Sequence, residues 1–549
     1  MVSTKKVIYQ LILCALFFVT VVVDISTSDV FNLPKFMMLV IFSTPIFIIL
    51  IFDFKNLLKE QKILTIAVTA FIINSLFVVI FGDSEFVQQL FGIYARNTGY
   101  LTYFSFFILL ISSAYIANIQ SLANFYKLAF VVNITLNVVS FLQITNLIMP
   151  QLRDNDGTTY SLLGNRNFYS ALIGCFSCLA IALLLNSKIK FSNKFFLAIL
   201  ILSNIYFIYR SQSIQGFIVA IIGAYVISVI RVYKSKFIKL TFALLSTGTS
   251  LLILFILALL NIGPLKSFIF GATVTDRLFC MSTGLRMGVS HPVFGVGFDG
   301  YFDKFRTYRT LEIINTKGAN ETCDIAHNTT IDIFASGGFP LLLIYLSINV
   351  LIVISIFRLL KNTKEYDAYT VGLIGFWISF QAQAFISINQ IGVAIWGFVT
   401  AGLILGLARQ SKLISLTQNS LIRKQNFNST KLIVGFAIGF LIITPVYSVV
   451  NSYKNAYKQQ NADALLKSLE KWPYNANNMT YAAEQLRKNN LFEYSYIAAK
   501  RTIQVFPDYY DAYRILYNLE VTPENEKLIA KTQMIRLDPL NKSVGQKGE

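Results

Sequence analysis

Two histidines, His291 and His327, are the whole imidazole complement of this 549-residue chain. Imidazole is the side chain best suited to take a proton near neutral pH. Both lie in one hydrophilic stretch that also carries Arg277 and Arg286. Three more patches set arginine among amides and hydroxyls beside an apolar run. They are Arg96-Asn-Thr-Gly99, Gly164-Asn-Arg-Asn-Phe168 and Arg210-Ser-Gln-Ser-Ile-Gln-Gly216. A guanidinium offers a planar fork of donors that fits phosphate oxygens. Arg96, Arg210, Arg277 and Arg286 are therefore candidates to hold the negative charge of a departing phosphate. His327, followed by Asn328, is the candidate base for a hydroxyl, with capping of the next segment as its alternative. His291 precedes Pro292, Gly295 and Gly297, a turn context that reads as structural. Asn165, Asn167 and Asn328 fit hydrogen bonds to a polar ligand, and equally the capping of loops.

The elements that must position these residues are membrane helices. The chain is 55% hydrophobic and only 14% charged, where a soluble protein carries about 25% charged residues. Runs of about 20 apolar residues can cross the hydrocarbon. Thirteen such spans are expected, at 8–23, 36–53, 63–82, 100–118, 126–149, 168–186, 194–209, 214–231, 238–261, 339–360, 369–387, 391–408 and 432–450. The first lacks a small-residue cleavage site and reads as a retained span rather than a signal peptide. The fold class is all-α and polytopic.

The net charge of +19 invites a nucleic-acid reading, but its distribution argues against one. With the N-terminus cytoplasmic, 21 basic residues fall in the inside segments and five in the short outside loops. That is the positive-inside pattern. Among the inside residues 17 are lysine, whereas the outside carries eight arginines against four lysines before residue 451. Arginine gathered at outer helix ends suits an anionic headgroup handled there; snorkelling toward lipid phosphates is the alternative.

Two hydrophilic parts remain outside the 1–450 membrane domain's spans: a loop at 262–338 and a tail at 451–549. With an odd number of spans both are extracytoplasmic. Cys280 and Cys323 share the loop on the oxidising side, so a disulfide between them is expected. Cys14, Cys175 and Cys178 lie in apolar spans and read as small hydrophobes. In the tail, Trp472-Pro-Tyr-Asn475 and Phe506-Pro-Asp-Tyr509 are 34 residues apart. That period suggests tetratricopeptide-like pairs, or an unclassified helical hairpin domain, able to meet a protein partner.

No metal or cofactor is expected, because the histidines have no carboxylate cluster at ligand spacing. Gly295-Val-Gly297-Phe-Asp-Gly300 follows no strand and lies outside, which argues against a nucleotide loop.

In this order and topology, the residues resemble the O-antigen ligase and polymerase superfamily over about 90–410. The matching features are Gly164-Asn165 with Asn167, the arginine turn ending at Gly216, His291-Pro to Gly297, and His327-Asn328 ahead of Gly337-Gly338. The turn departs from the family's Ser-Arg-Gly form. The resemblance implies a GT-C-like, metal-independent glycosyltransferase. Its donor would be an undecaprenyl-pyrophosphate-linked glycan at the outer face of the bacterial inner membrane. The acceptor would be lipid A–core in a ligase, another lipid-linked repeat unit in a polymerase, or a protein hydroxyl in a third branch. A transporter of lipid-linked oligosaccharide is the competing class. It would call for internal repeats and midplane ionisable residues, and neither stands out.

Overall fold

The computed structural model describes residues 3–27, 29–152, 156–264, 266, 272–363, 365–414, 428–542 and 544. Arg153, Lys364, Arg423 and Lys424 of the charge pattern lie outside the described residues.

Every expected span coincides with a helix. In chain order these are α1 (Thr4–Val21), α2 (Asn32–Phe52), α3 (Phe54–Phe81), α5 (Tyr100–Ile116), α6 (Ile119–Ile144), α7 (Arg166–Leu184), α8 (Phe191–Arg210), α9 (Ile214–Lys234) and α10 (Ile238–Leu259), with the short α4 (Phe86–Phe91) between α3 and α5. After the loop follow α14 (Thr329–Asn362), α15 (Ala368–Ile386), α16 (Ile391–Ile414) and α17 (Ser429–Gln459). Twelve helices among the described residues are long and apolar enough to span, and α5 is a shorter apolar one. Among these residues the protein is all-helical and has no strand. It is a polytopic membrane protein.

Helix α16 runs through the middle, buried along its apolar length, whereas α10 is almost wholly exposed at the periphery. Lipid tails supply no hydrophobic drive between helices, so close backbone approach matters. A Cβ on Gly402 or Gly406 would stand 2.1 Å from the Leu110 carbonyl or 2.3 Å from that of Ala114 on α5. Only glycine lets α5 and α16 come this close.

The connections sort by parity. Lys5, Glu60 and Arg409, from even-numbered connections, meet at one end of the bundle: Glu60 pairs with Lys5 at 2.9 Å and with Arg409 at 3.4 Å. Lys188 and Glu365, also from even connections, pair at 3.2 Å. The odd connections gather at the other end, as an alternating thirteen-span path requires.

Among its described residues the loop folds as the helices α11 (Ala272–Ser290), α12 (Tyr301–Tyr308) and α13 (Leu311–Lys317). They close over a small core of Met287, Val296, Tyr301, Phe305, Ile313, Ala326 and Ala335. Helix α17 carries the chain without a break into the tail. There α18 (Ala462–Ser468), α19 (Ala476–Lys488), α20 (Phe492–Val505), α21 (Tyr510–Asn518) and α22 (Glu524–Leu537) build a separate core around Ala482, Ala498, Leu516 and Met534.

Candidate active site

A cavity of about 200 Å3 opens at the end of the bundle where the odd connections meet. Arg96, Asn165, Asn167, Arg277, Asp324 and His327 line it, with Asn32 and Gln390. Five separate connections therefore converge on one polar hollow.

The Arg96 turn is forced and then pinned. Gly92, Ala95 and Asn97 all take positive φ (84°, 68° and 55°), a conformation that needs outside support. The half-buried Asp299 carboxylate supplies it, accepting from the Ile93 and Thr98 amides (2.9 and 3.1 Å) and from Thr98 Oγ1 (2.6 Å). Burial raises the Asp299 pKa, opposed by the Arg96 charge and the Thr98 and Ile93 hydrogen bonds. On the other side Asn32 Nδ2 donates to the Ala95 carbonyl at 2.7 Å, and Gln390 Nε2 to Asn32 Oδ1 at 3.1 Å. The glycine segment 295–300 is thus a brace for an arginine.

Asn165 caps α7, accepting from the Asn167 amide at 2.8 Å. Asn167 Oδ1 accepts from Ser213 Oγ at 2.7 Å, which ties it to the arginine turn between α8 and α9.

His327 sits at φ 51° just before the cap of α14. Asn328 Oδ1 accepts from the Thr330 and Ile331 amides (3.0 and 3.1 Å), while its Nδ2 donates to the Phe385 carbonyl at 3.0 Å. Helix α14 breaks at Gly338 (φ 65°, ψ −165°), and the turn after His291 fills the break. Phe339 N donates to the Pro292 carbonyl (2.8 Å), Val296 N to Ala335 O (2.8 Å) and Gly297 N to Ser336 O (3.0 Å). The two glycine motifs are one joint. Cys280 and Cys323 form a disulfide with Cα atoms 5.8 Å apart. It fastens α11, which carries Arg277, to the segment carrying Asp324 and His327.

The electrostatics favour a neutral imidazole. Burial pushes the His327 pKa below its ordinary value; Asp324 pulls it back up, and Arg277 and Arg96 push it further down. Asp324 Oδ1 stands 4.0 Å from His327 Nε2. Asp324 pairs instead with Arg96, whose Nη1 also donates to the Asp324 carbonyl at 3.2 Å. Arg277 pairs with no carboxylate among the described residues, and burial lowers its pKa from the ordinary guanidinium value. The hollow therefore offers a free cation beside a neutral base.

Residues 196–346 match the family model described as O-antigen ligase. That match supports the O-antigen ligase superfamily, and with it a ligase- or polymerase-type function carried by a membrane glycosyltransferase-like enzyme. The matched segment runs from α8 into α14, narrower than the resemblance over 90–410. It contains Arg277 and His327 but not Arg96, Asn165 or Asn167. No curated protein matches the chain.

Not every candidate reaches the hollow. Arg210 leans on Tyr206 Oη (3.3 Å) and the Gly157 carbonyl (3.4 Å). Arg286 is exposed on α11, nine residues from Arg277, hence on the opposite side of the helix at 100° per residue. Asn328 spends its oxygen on the α14 cap and its Nδ2 on the Phe385 carbonyl. His291 Nε2 lies 2.6 Å from Tyr308 Oη and 3.9 Å from Asp83, away from the cavity. Sequence reasoning missed Asp324, Asp299, Asn32 and Gln390. A carboxylate three residues before a histidine was the readable signal for Asp324.

Proposed function

We propose that this protein transfers a glycan from undecaprenyl pyrophosphate to a hydroxyl acceptor at the outer face of the inner membrane, as an O-antigen ligase with lipid A–core as acceptor. The observation that carries this reading is His327 beside Arg277 in one hollow, its pKa pushed down by burial, with Asn165 and Asn167 on the wall. His327 takes the proton of the acceptor hydroxyl as its oxygen bonds to the sugar C1. The bond from C1 to the phosphate oxygen breaks, and the lipid pyrophosphate leaves with its added negative charge on Arg277 and Arg96. Asn165 and Asn167 hydrogen-bond sugar or phosphate. The side chains themselves supply base and charge, so the reading needs no metal or cofactor. The charge pattern and the disulfide support an N-terminus in the cytoplasm and a loop and tail outside it.

The test is single-turnover transfer in proteoliposomes, wild type against His327→Ala. Undecaprenyl-pyrophosphate glycan is the donor; lipid A–core and a second lipid-linked unit compete as acceptors. Transfer to lipid A–core, lost in a folded His327→Ala variant, is the expected result. Preference for the lipid-linked unit makes the protein a polymerase, and transfer only to a protein hydroxyl makes it a protein oligosaccharyltransferase. Movement of the lipid across the bilayer without transfer to any acceptor overturns the enzyme reading in favour of a transporter.

A further inference from the structure

Asp324 faces two partners and holds only one. Its carboxylate is ion-paired with Arg96, and its Oδ1 is 4.0 Å from His327 Nε2. The two partners differ in freedom. Arg96 is 16% exposed, on a turn braced by Asp299 and Asn32, while Asp324 is 56% exposed. A carboxylate so exposed can swing, whereas Arg96 is the more enclosed partner and springs from a braced backbone turn. Arg96 and Asp324 both line the same hollow as Arg277 and Asn167.

Resting on the transferase reading above, we propose that Asp324 is an exchangeable counter-ion. Arrival of the donor's pyrophosphate displaces it from Arg96, and the freed carboxylate moves onto His327 Nε2 as a positioning residue.

The exchange balances charge at each stage. Before the donor arrives, Arg96 is neutralised by Asp324, and the imidazole feels the Arg277 and Arg96 charges with the Asp324 Oδ1 4.0 Å away. Phosphate oxygens then replace the carboxylate on the guanidinium, and a bidentate phosphate pair is at least as good a match. About an ångström of movement lets Asp324 accept the Nε2–H, leaving Nδ1 as the nitrogen that takes the acceptor's proton. The imidazolium that results meets a carboxylate rather than only Arg277 and Arg96. The base is thus held back until the leaving group is in place, which discourages proton chemistry at an empty site. The groups facing His327 all enter this balance. Arg277 comes from α11, Arg96 from its turn and Asp324 from its own segment, while the half-buried Asp299 and Asp332 interact with the Arg96 charge. In the resting arrangement the two arginines hold the imidazole pKa down and Asp324 opposes them.

Glycan-free undecaprenyl pyrophosphate, bound in detergent to wild type and variants, is the first probe. Asp324→Asn removes the competitor for Arg96 and should tighten binding by roughly 2- to 10-fold. Arg96→Gln should weaken binding, and adding Asp324→Asn to it should then change nothing. The second probe is the pH profile of single-turnover transfer. Asp324→Asn should slow turnover despite tighter binding, and should move the acid limb to lower pH. Arg96→Gln, which frees the carboxylate permanently, should move that limb to higher pH. Unchanged or weaker binding in Asp324→Asn, or an acid limb that neither variant moves, overturns the exchange. The binding arm needs no catalysis. A wild type that transfers nothing therefore sinks the transferase reading while the exchange is still judged on affinity.

Discussion

Arg309 and Asp538 form a wholly buried ion pair, with Arg309 Nη2 at 2.8 and 2.6 Å from the two carboxylate oxygens and neither side chain exposed. One residue follows α12 in the loop between α10 and α14; the other ends α22 of the tail, 229 positions later. Arg309 Nη1 also donates to the Ala319 and Glu321 carbonyls (2.7 and 3.0 Å). Around this pair Lys304 meets Asp508 at 2.6 Å and Thr307 Oγ1 donates to Leu537 O at 2.9 Å. The tail is therefore seated on the loop that carries His327.

Removing one member of a buried pair strands the other charge, at a cost of about 3–5 kcal/mol. Asp538→Ala should release the tail, seen as faster proteolysis after Gln459 and a lower first melting transition. The double replacement Arg309→Met with Asp538→Leu should recover most of the loss, because a well-packed apolar pair removes both charges together. Equal melting of Asp538→Ala and wild type would show that the pair does not hold the tail.

His327 fixes a pH dependence. Its pKa lies below the ordinary imidazole value of about 6.5. The neutral, proton-accepting form dominates above that pKa and is lost as pH falls through it. At limiting donor, where the rate reports the free enzyme, transfer should therefore stay level through neutrality and decline on an acid limb below 6.5. Loss of the base in His327→Ala should cost on the order of 10²- to 10⁴-fold and abolish that limb. A limb centred at or above 6.5 would contradict the assignment.

How much of this was legible in the sequence follows from the range of each interaction. Spans are local, so runs of apolar residues located each long apolar helix among the described residues. Helix α14 began at Thr329 rather than 339, because Thr329-Thr-Ile-Asp332 lowers the apolar signal while Asn328 still caps a regular helix. The meeting of Arg96, Asn165, Arg277 and His327 is long-range, and only their common position at odd connections hinted at it. Arg210 and Arg286 share that position but point elsewhere, for reasons of helix phase and local turn contacts that a one-dimensional reading of charge does not carry. The Arg309–Asp538 pair gave no signal at all: nothing in either neighbourhood names the other.

Gly338 tests the joint under the site. Its φ of 65° with ψ of −165° is open to glycine almost alone, and a Cβ there would stand 2.4 Å from the Pro292 carbonyl. Gly338→Ala should cost roughly 1–3 kcal/mol from backbone strain, with the clash added. Because Pro292 and Gly297 dock on this break, the substitution should also lower transfer more than its loss of stability explains. Purified folded variant with full activity would show that the break is not what seats the 291–297 turn.

Arg277 separates charge from shape. It lines the hollow, pairs with no carboxylate among the described residues and pushes the His327 pKa down. Both of its expected roles are electrostatic, yet only one needs the guanidinium fork. Arg277→Lys keeps a cation near His327, so the acid limb should hardly move, while the rate falls as bidentate phosphate contact is lost. Arg277→Ala removes the cation as well. Its acid limb should shift to higher pH, since a lowering influence on the imidazole has gone, and its rate should fall by about 10²- to 10³-fold, the usual cost of one donor to a developing anion. Single-turnover profiles of the two variants across pH 5–8 read both effects at once. If lysine restores the full rate, Arg277 acts as a point charge and the phosphate fork must be sought at Arg96; if neither variant moves the limb, His327 is not the titrating base.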